Sequence, residues 1–166
     1  MDKLDNEILK YSLEYLYWFS RFEYTLKEND YLQHYESTED MISAKPNWKK
    51  FRLEYEKKYS LSENAKELIS LSPKKQIAKR VGSNWELGWN EIKFKDIDTG
   101  LKKVITLLQT IRNNLFHGGK HHSKSNQDKE RDLELIKLST KIIKEIAYID
   151  GSGMEGFDIK KEIFIN

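Results

Sequence analysis

The chain contains no cysteine and only two prolines among its 166 residues. The absence of cysteine excludes disulfides, thiolate metal sites and a cysteine nucleophile. No apolar run approaches the ~20 residues that a membrane-spanning helix needs. The N-terminus, MDKLDNE, also lacks the apolar segment of a secretory signal. We therefore expect a cytoplasmic protein that does not associate with a membrane.

What is present is typical of a folded globular protein: 38% of the residues are hydrophobic, 34% are charged and 12% are aromatic. This length suits one domain with a single core. We expect residues 1–150 to form one helical domain, and residues 151–166 to form a tail or a docked segment.

The small net charge of +2 hides an asymmetry along the chain. Residues 1–40 contain four Lys/Arg and ten Asp/Glu residues, a net charge of −6, so the rest of the chain carries +8. Basic runs occur at residues 45–52 and 74–80. A basic face attracts polyanions, nucleic acid above all, although each run taken singly is also typical of a solvated, lysine-rich surface.

Helical periodicity dominates the pattern and predicts an all-α fold. A long first helix should end near Asn29, because its apolar residues recur at steps of three and four. Further helices are predicted over residues 47–59, after Ser62, over 100–117 and over 128–149. The apolar stripe of the first helix consists of Leu4, Ile8, Tyr11, Tyr15, Trp18, Phe22 and Leu26.

Residues 73–95 are the least regular part of the chain. Gly82, Ser83 and Gly88 interrupt any helical period, and WELGWNEIKF is expected to be a loop or a short extended piece. Most aromatic residues should be core or interface. Trp85 and Trp89, which lie in this basic segment, are the best candidates for stacking on nucleic-acid bases.

The segment TIRNNLFHGGKHH, residues 110–122, ends the fourth predicted helix with polar residues. Asn113 and His117 are four residues apart and share a face away from the apolar arc, whereas Arg112 lies just inside its edge. An unpaired charge cannot be buried there, so Arg112 must snorkel, pair with a carboxylate or open onto a cleft. The apolar arc consists of Leu101, Val104, Ile105, Leu107, Leu108, Ile111, Leu115 and Phe116.

Two interpretations of this segment are open from spacing alone. In the structural one, Arg112 forms an internal ion pair, Asn113 is on the surface and His117 caps the helix before Gly118. In the functional one, Arg112 binds a phosphate, His117 moves a proton and Asn113 bonds a phosphate or ribose hydroxyl. These are the side chains that cleavage of RNA without a metal requires.

Arg112 to His117, with Asn113 directly after the arginine, resembles the R-x4–6-H signature of HEPN domains (higher eukaryotes and prokaryotes nucleotide-binding). The segment FSRFEYTLKEN, residues 19–29 of the long first helix, is also similar to bacterial proteins of this group. The resemblance covers about six residues as a motif and most of the chain as an architecture.

The resemblance implies an up-and-down helical bundle that forms a homodimer, with two motifs facing one cleft. It also implies metal-independent endoribonuclease activity in toxin–antitoxin or antiphage defence, with an antitoxin or other regulatory protein as partner. Arg112 and His117 would be catalytic, and Asn113 would support them. Gly119 stands where some HEPN toxins carry a modified tyrosine, which argues against that form of control. Since some HEPN domains are inactive, a nucleotide-binding, RNA-binding or scaffold module is the alternative.

The remaining candidates flank this motif. Lys120, His121, His122 and Lys124 are expected to contact RNA phosphates at the mouth of the cleft, or to form a mobile polar loop. Glu23 could pair with Arg112, orient His117 or lie on the surface. A histidine metal site is disfavoured, because glycines separate His117 from His121 and no acidic residue lies nearby in sequence. We therefore expect neither a metal nor a cofactor.

Overall fold

The computed structural model describes residues 2–33, 41, 43–116, 125–151 and 153–157. Within these residues the protein consists of five helices and one two-stranded antiparallel sheet. In chain order the elements are α1 (Lys3–Glu28), α2 (Trp48–Tyr55), α3 (Glu63–Ser70), β1 (Lys75–Val81), β2 (Asn84–Asn90), α4 (Gly100–Phe116) and α5 (Asn126–Ala147).

Four of the helices begin at polar caps, which explains why the sequence pattern locates them well. The side chains of Asp2, Asn47, Ser62 and Ser125 each accept a hydrogen bond from the backbone N–H three residues later. Such caps satisfy donors that a helix start leaves without partners. The predicted helices are all present, and α1 ends at Asn29 as expected.

The fold is mostly helical, but it is not purely α, which corrects the all-α expectation. The irregular segment contains the hairpin β1–β2, in which Val81 pairs with Asn84 across a two-residue turn. Gly82 begins this turn with a φ of +62°, a conformation that glycine adopts without steric cost. Most of the hairpin is exposed, so it is an arm on the bundle and not a central sheet.

The core is a single cluster in which aromatic residues of α1 and α2 meet aliphatic residues of α4 and α5. Tyr15 and Phe22 are fully buried, and the Tyr15 hydroxyl donates to the Leu108 carbonyl oxygen at 2.7 Å. Burial raises the pKa of Tyr15 well above its ordinary value. Tyr15 therefore remains protonated and ties α1 to α4.

Helices α1 and α5 run parallel. Lys129 near the start of α5 forms ion pairs with Asp2 and Asp5 at the start of α1, and Lys144 near its end pairs with Glu14. The two sequences therefore advance in the same direction along their contact.

Helices α3 and α4 both run antiparallel to α5. Ser62, at the start of α3, donates to Glu145 near the end of α5, whereas Arg131 near the start of α5 donates to Leu71 after α3. Gly100, at the start of α4, lies against Leu61. Helices α4 and α5 therefore pack antiparallel, as an up-and-down bundle requires of consecutive helices. The parallel pair α3 and α4 nevertheless departs from the strict alternation of an up-and-down bundle.

The segment between α3 and α4 makes this departure possible. The hairpin leaves the bundle at the end of α3, and residues 91–99 then return to the start of α4. Nine residues in an extended conformation span roughly 30 Å. The 17 residues of α4 rise about 25 Å, so the return segment is long enough. Ile92 and Phe94 pack against the core along this path.

The described part of the tail packs onto α1. Met154 and Phe157 are buried, and the Phe157 ring lies 5.2 Å from that of Trp18. The Asn29 amide also donates to the Glu155 carbonyl oxygen at 3.0 Å. Residues 153–157 thus extend the core, while residues 158–166 lie outside the described residues.

Candidate functional site

The last turns of α4 present Arg112 and Asn113 at the surface. The helix packs through its apolar arc up to Leu115, and Arg112 is half-buried at the edge of that arc. Phe116, which the spacing places on the arc, is instead 65% exposed. The predicted arc is therefore correct except at its last residue.

The guanidinium of Arg112 is held by aromatic rings and by its neighbour. Its central carbon lies 4.8 Å from the ring centroid of Phe116 and 6.0 Å from that of Phe19. Its Nη1 donates to the Asn113 Oδ1 at 3.1 Å. Cation–π contacts of this kind orient an arginine without neutralising its charge.

No carboxylate pairs with Arg112 in the part of the chain that the structure describes. Glu23, the candidate partner from the sequence, instead accepts a hydrogen bond from Trp48 Nε1 at 3.0 Å. Both charges nevertheless influence Tyr15, because Arg112 opposes the burial effect on the Tyr15 pKa and Glu23 adds to it. Of the three roles left open for Arg112, pairing is not the one observed among the described residues. Among the described residues, its side-chain hydrogen bond goes to Asn113 and its ring contacts are with Phe19 and Phe116.

Asn113 opens onto a polar cleft beside the hairpin. The cleft has a volume of about 370 Å³ and lies between the start of β1 and the end of α4. Lys75 and Gln76 line it on one side, and Thr110, Asn113 and Asn114 line it on the other. The cleft is therefore bordered by amides, a hydroxyl and a lysine, which are groups that bind phosphate and sugar oxygens.

Asn114 is a structural residue that sequence reasoning did not single out. It is only 4% exposed, and its amide donates to the Lys74 carbonyl oxygen at 2.8 Å. Arg131 of α5 secures the same loop by donating to the carbonyl oxygens of Leu71 and Ser72. Together these bonds fix the base of the hairpin beside the candidate motif. The signal in the sequence was the spacing of Asn114, which lies three residues after the buried Ile111.

The other predicted site residues follow α4 directly. His117, Lys120, His121, His122 and Lys124 lie outside the described residues. Among the residues that are described, no three His, Asp or Glu side chains are grouped so that they could hold a metal ion. The structure thus brings Arg112 and Asn113 together, and it places both at the point where the chain continues into His117.

Helix α1 has a second apolar stripe, which the sequence analysis missed. Leu9, Leu13, Tyr17 and Tyr24 are all exposed. Their spacing places them within about 80° of one another, on the side of α1 opposite the core. An apolar stripe on the outer side of a surface helix is typical of a surface that binds another molecule. The recurring steps of four were the available signal.

Comparisons with known proteins found no match, so a functional assignment depends on the geometry described above. No protein-family model matches the chain, and neither a curated protein nor a solved structure matches it. No helix in the described ranges is long and apolar enough to cross a membrane.

Proposed function

We propose that this protein is a metal-independent endoribonuclease of the HEPN type, acting on cytoplasmic RNA in a toxin–antitoxin or antiphage setting under the control of a protein partner. The observation that carries the proposal is the state of Arg112. Its guanidinium is oriented by Phe116, Phe19 and Asn113, it has no carboxylate partner among the described residues, and it directly precedes the segment containing His117.

The chemistry follows from these side chains. The ribose 2′-oxygen attacks the adjacent phosphorus, and the bond from phosphorus to the 5′-oxygen of the next nucleotide breaks. One imidazole takes the proton of the 2′-hydroxyl, and an imidazolium gives a proton to the leaving 5′-oxygen. Arg112 stabilises the negative charge that accumulates on the phosphate oxygens. The products are a 2′,3′-cyclic phosphate and a 5′-hydroxyl.

Asn113 has two functions in this scheme. It accepts the hydrogen bond that fixes Arg112, and it lines the cleft beside β1. Lys120, His121, His122 and Lys124 contact the RNA phosphates that flank the scissile bond. Glu23 has no direct part, since its carboxylate accepts from Trp48.

The reaction needs a base and an acid, whereas one motif contains a single histidine. We therefore propose a homodimer in which two copies of His117 serve one cleft. The exposed α1 stripe supports this assembly, because a twofold axis pairs the stripe with itself.

The test is to incubate the purified protein with mixed RNA in the presence of EDTA and to determine the product termini. We expect cleavage with 2′,3′-cyclic phosphate and 5′-hydroxyl ends. Intact RNA that remains bound would identify the inactive binding module instead. Activity that EDTA abolishes would contradict the metal-independent mechanism.

A further inference from the structure

The hairpin β1–β2 sorts its side chains into two different faces. Residues that pair across the ladder point to the same side, and successive residues alternate. One face, termed here the tryptophan face, therefore combines alternate residues of both strands. Its members are the cross-strand pairs Gln76–Trp89, Ala78–Leu87 and Arg80–Trp85.

The tryptophan face is largely uncovered within the bundle. Trp85 is 70% exposed and Leu87 is 75% exposed. Trp89 lies four residues from Trp85 along β2, a distance of about 13 Å for an extended strand. Exposed tryptophans on a projecting arm are unfavourable in water, and they are typical of a surface that binds another molecule.

The charges of the hairpin indicate which kind of molecule binds there. Arg80 is the charged residue of the tryptophan face, whereas the acidic residue Glu86 pairs with Lys79 on the opposite face. Lys74 and Lys75 lie at the base of the same arm. The surface thus combines aromatic rings with positive charge, and it complements a polyanion that carries flat apolar groups.

The tryptophan face also leads into the candidate site. Gln76 belongs to this face and lines the cleft that Asn113 borders. Asn114 holds the start of β1 against α4 through the Lys74 carbonyl. A strand lying along the hairpin would therefore run toward the cleft bordered by Asn113, the hydrogen-bond partner of Arg112.

We propose that the tryptophan face is a stacking platform for single-stranded RNA, on which unpaired bases lie against Trp85 and Trp89 while Arg80 contacts the phosphates. The inference rests on the proposed function and adds that the substrate is single-stranded next to the scissile bond. Duplex RNA is a poor ligand, because its bases already stack on each other and cannot reach the indoles.

The experiment compares Trp85→Thr with Trp85→Phe. Threonine keeps the β-propensity of the position but removes the ring, whereas phenylalanine keeps a ring. Binding is measured by fluorescence anisotropy with a 2′-O-methyl oligonucleotide, which lacks the attacking hydroxyl and is not cleaved. An abasic oligonucleotide of the same length and a duplex serve as the other probes. Circular dichroism and thermal unfolding check that each variant folds.

We expect Trp85→Thr to weaken binding of the base-containing strand by about tenfold, as the loss of one stacked base predicts. Trp85→Phe should retain most of the affinity, and all three proteins should bind the abasic strand equally. Equal losses on both strands, or no loss in Trp85→Thr, would overturn the platform. A shift of Trp85→Thr from dimer to monomer with unchanged affinity would also overturn it, because the face would then be an interface between copies.

Cleavage of natural RNA by the same preparations separates this inference from the proposed function. If binding depends on Trp85 but the parent protein does not cleave RNA in EDTA, the platform stands and the ribonuclease proposal fails. If the parent cleaves while Trp85→Thr binds and cleaves equally well, the ribonuclease stands and the platform fails.

Discussion

At the scale of single residues, the environment of Arg112 distinguishes the two interpretations of the motif. A structural arginine at the edge of a core would have a carboxylate partner, whereas Arg112 contacts two rings and an asparagine. Spacing alone predicted the borderline position of Arg112. It could not predict the partners, because Phe19 and Glu23 come from a distant helix whose rotation about its axis depends on the whole core.

Arg112→Ala should therefore remove activity at little cost in stability. Loss of a group that donates to transition-state charge typically lowers the rate 10²- to 10³-fold, and we expect a loss of roughly this size for Arg112→Ala. The free energy of unfolding should fall by less than about 1 kcal/mol, because only cation–π contacts and one exposed hydrogen bond are lost. Single-turnover cleavage and urea unfolding measure the two effects. A large loss of stability would instead support the structural interpretation.

Tyr59 is a second residue with a specific consequence. Its hydroxyl is buried and has no hydrogen-bond partner in the described structure. Tyr59→Phe removes this unsatisfied group, so we expect the free energy of unfolding to rise by about 1 kcal/mol at neutral pH. Urea unfolding of the parent and the variant tests this. A loss of stability would show that the hydroxyl is bonded after all.

The titration of Tyr59 gives an independent check with a definite sign. Burial, reinforced by Glu145, raises its pKa to about 12 from the ordinary value of 10.0. The unfolded state therefore loses the proton first, and stability falls as pH rises from roughly 10 to 12. The parent should lose stability more steeply than Tyr59→Phe across this window. Parallel pH profiles of the two proteins would contradict the assignment.

At the scale of elements, the helices were predictable because their signals are local. Apolar steps of three and four and polar caps such as Ser62 depend on neighbours in sequence. The hairpin was missed for a specific reason. Gly82 and Ser83 interrupt a helical period, but a Gly-Ser pair between two short runs is also typical of a two-residue hairpin turn. Polar and apolar residues do not alternate clearly enough in Lys75–Val81 to distinguish a hairpin strand from an irregular segment.

The adjacent asparagines of α4 provide a matched pair of variants. Asn114→Ala should lower the free energy of unfolding by about 1 kcal/mol, because it removes the buried side-chain amide that donates to the Lys74 carbonyl oxygen. Asn113→Ala removes an exposed side chain, so it should cost less than about 0.5 kcal/mol. Asn113→Ala should nevertheless slow cleavage, since Arg112 loses the group that orients it.

Thermal unfolding and hydrogen exchange of the hairpin amides check this pair. Faster exchange in β1 is expected for Asn114→Ala and not for Asn113→Ala. The reverse pattern would show that the hairpin is not fixed through Asn114.

At the scale of the whole molecule, the proposed homodimer requires a contact surface on each chain. The resemblance of the motif implies a homodimer, and the reaction needs both a base and an acid, but neither indicates a contact surface. We propose the exposed stripe on α1 as that surface, although its period in the sequence is masked by the stronger, core-facing stripe of the same helix.

Leu13→Glu should convert the dimer to a monomer and suppress cleavage. A carboxylate in a self-paired apolar stripe faces its own copy across the twofold axis, which is costly. Leu53→Glu on α2 is the matched control, because Leu53 is also an exposed leucine but lies off the stripe. Light scattering gives the mass, and single-turnover assays give the rate. A monomeric Leu13→Glu with full activity would refute the shared cleft.

The central claim is that this chain cleaves RNA through Arg112 and His117 without a metal. Comparing the cleavage rates of the parent protein and its variants tests this claim most directly. Cleavage in EDTA is measured at saturating RNA for the parent, His117→Ala, and the pair Lys120→Ala and Lys124→Ala. We predict that His117→Ala loses about 10²- to 10⁴-fold or more, as removal of a general acid–base group implies. The lysine variants should cleave at the parent rate at saturating RNA, while they bind RNA more weakly and with a flatter dependence on salt. If His117→Ala cleaves as fast as the parent while the lysine variants do not, the end of α4 is a binding terminus and the catalytic account is wrong.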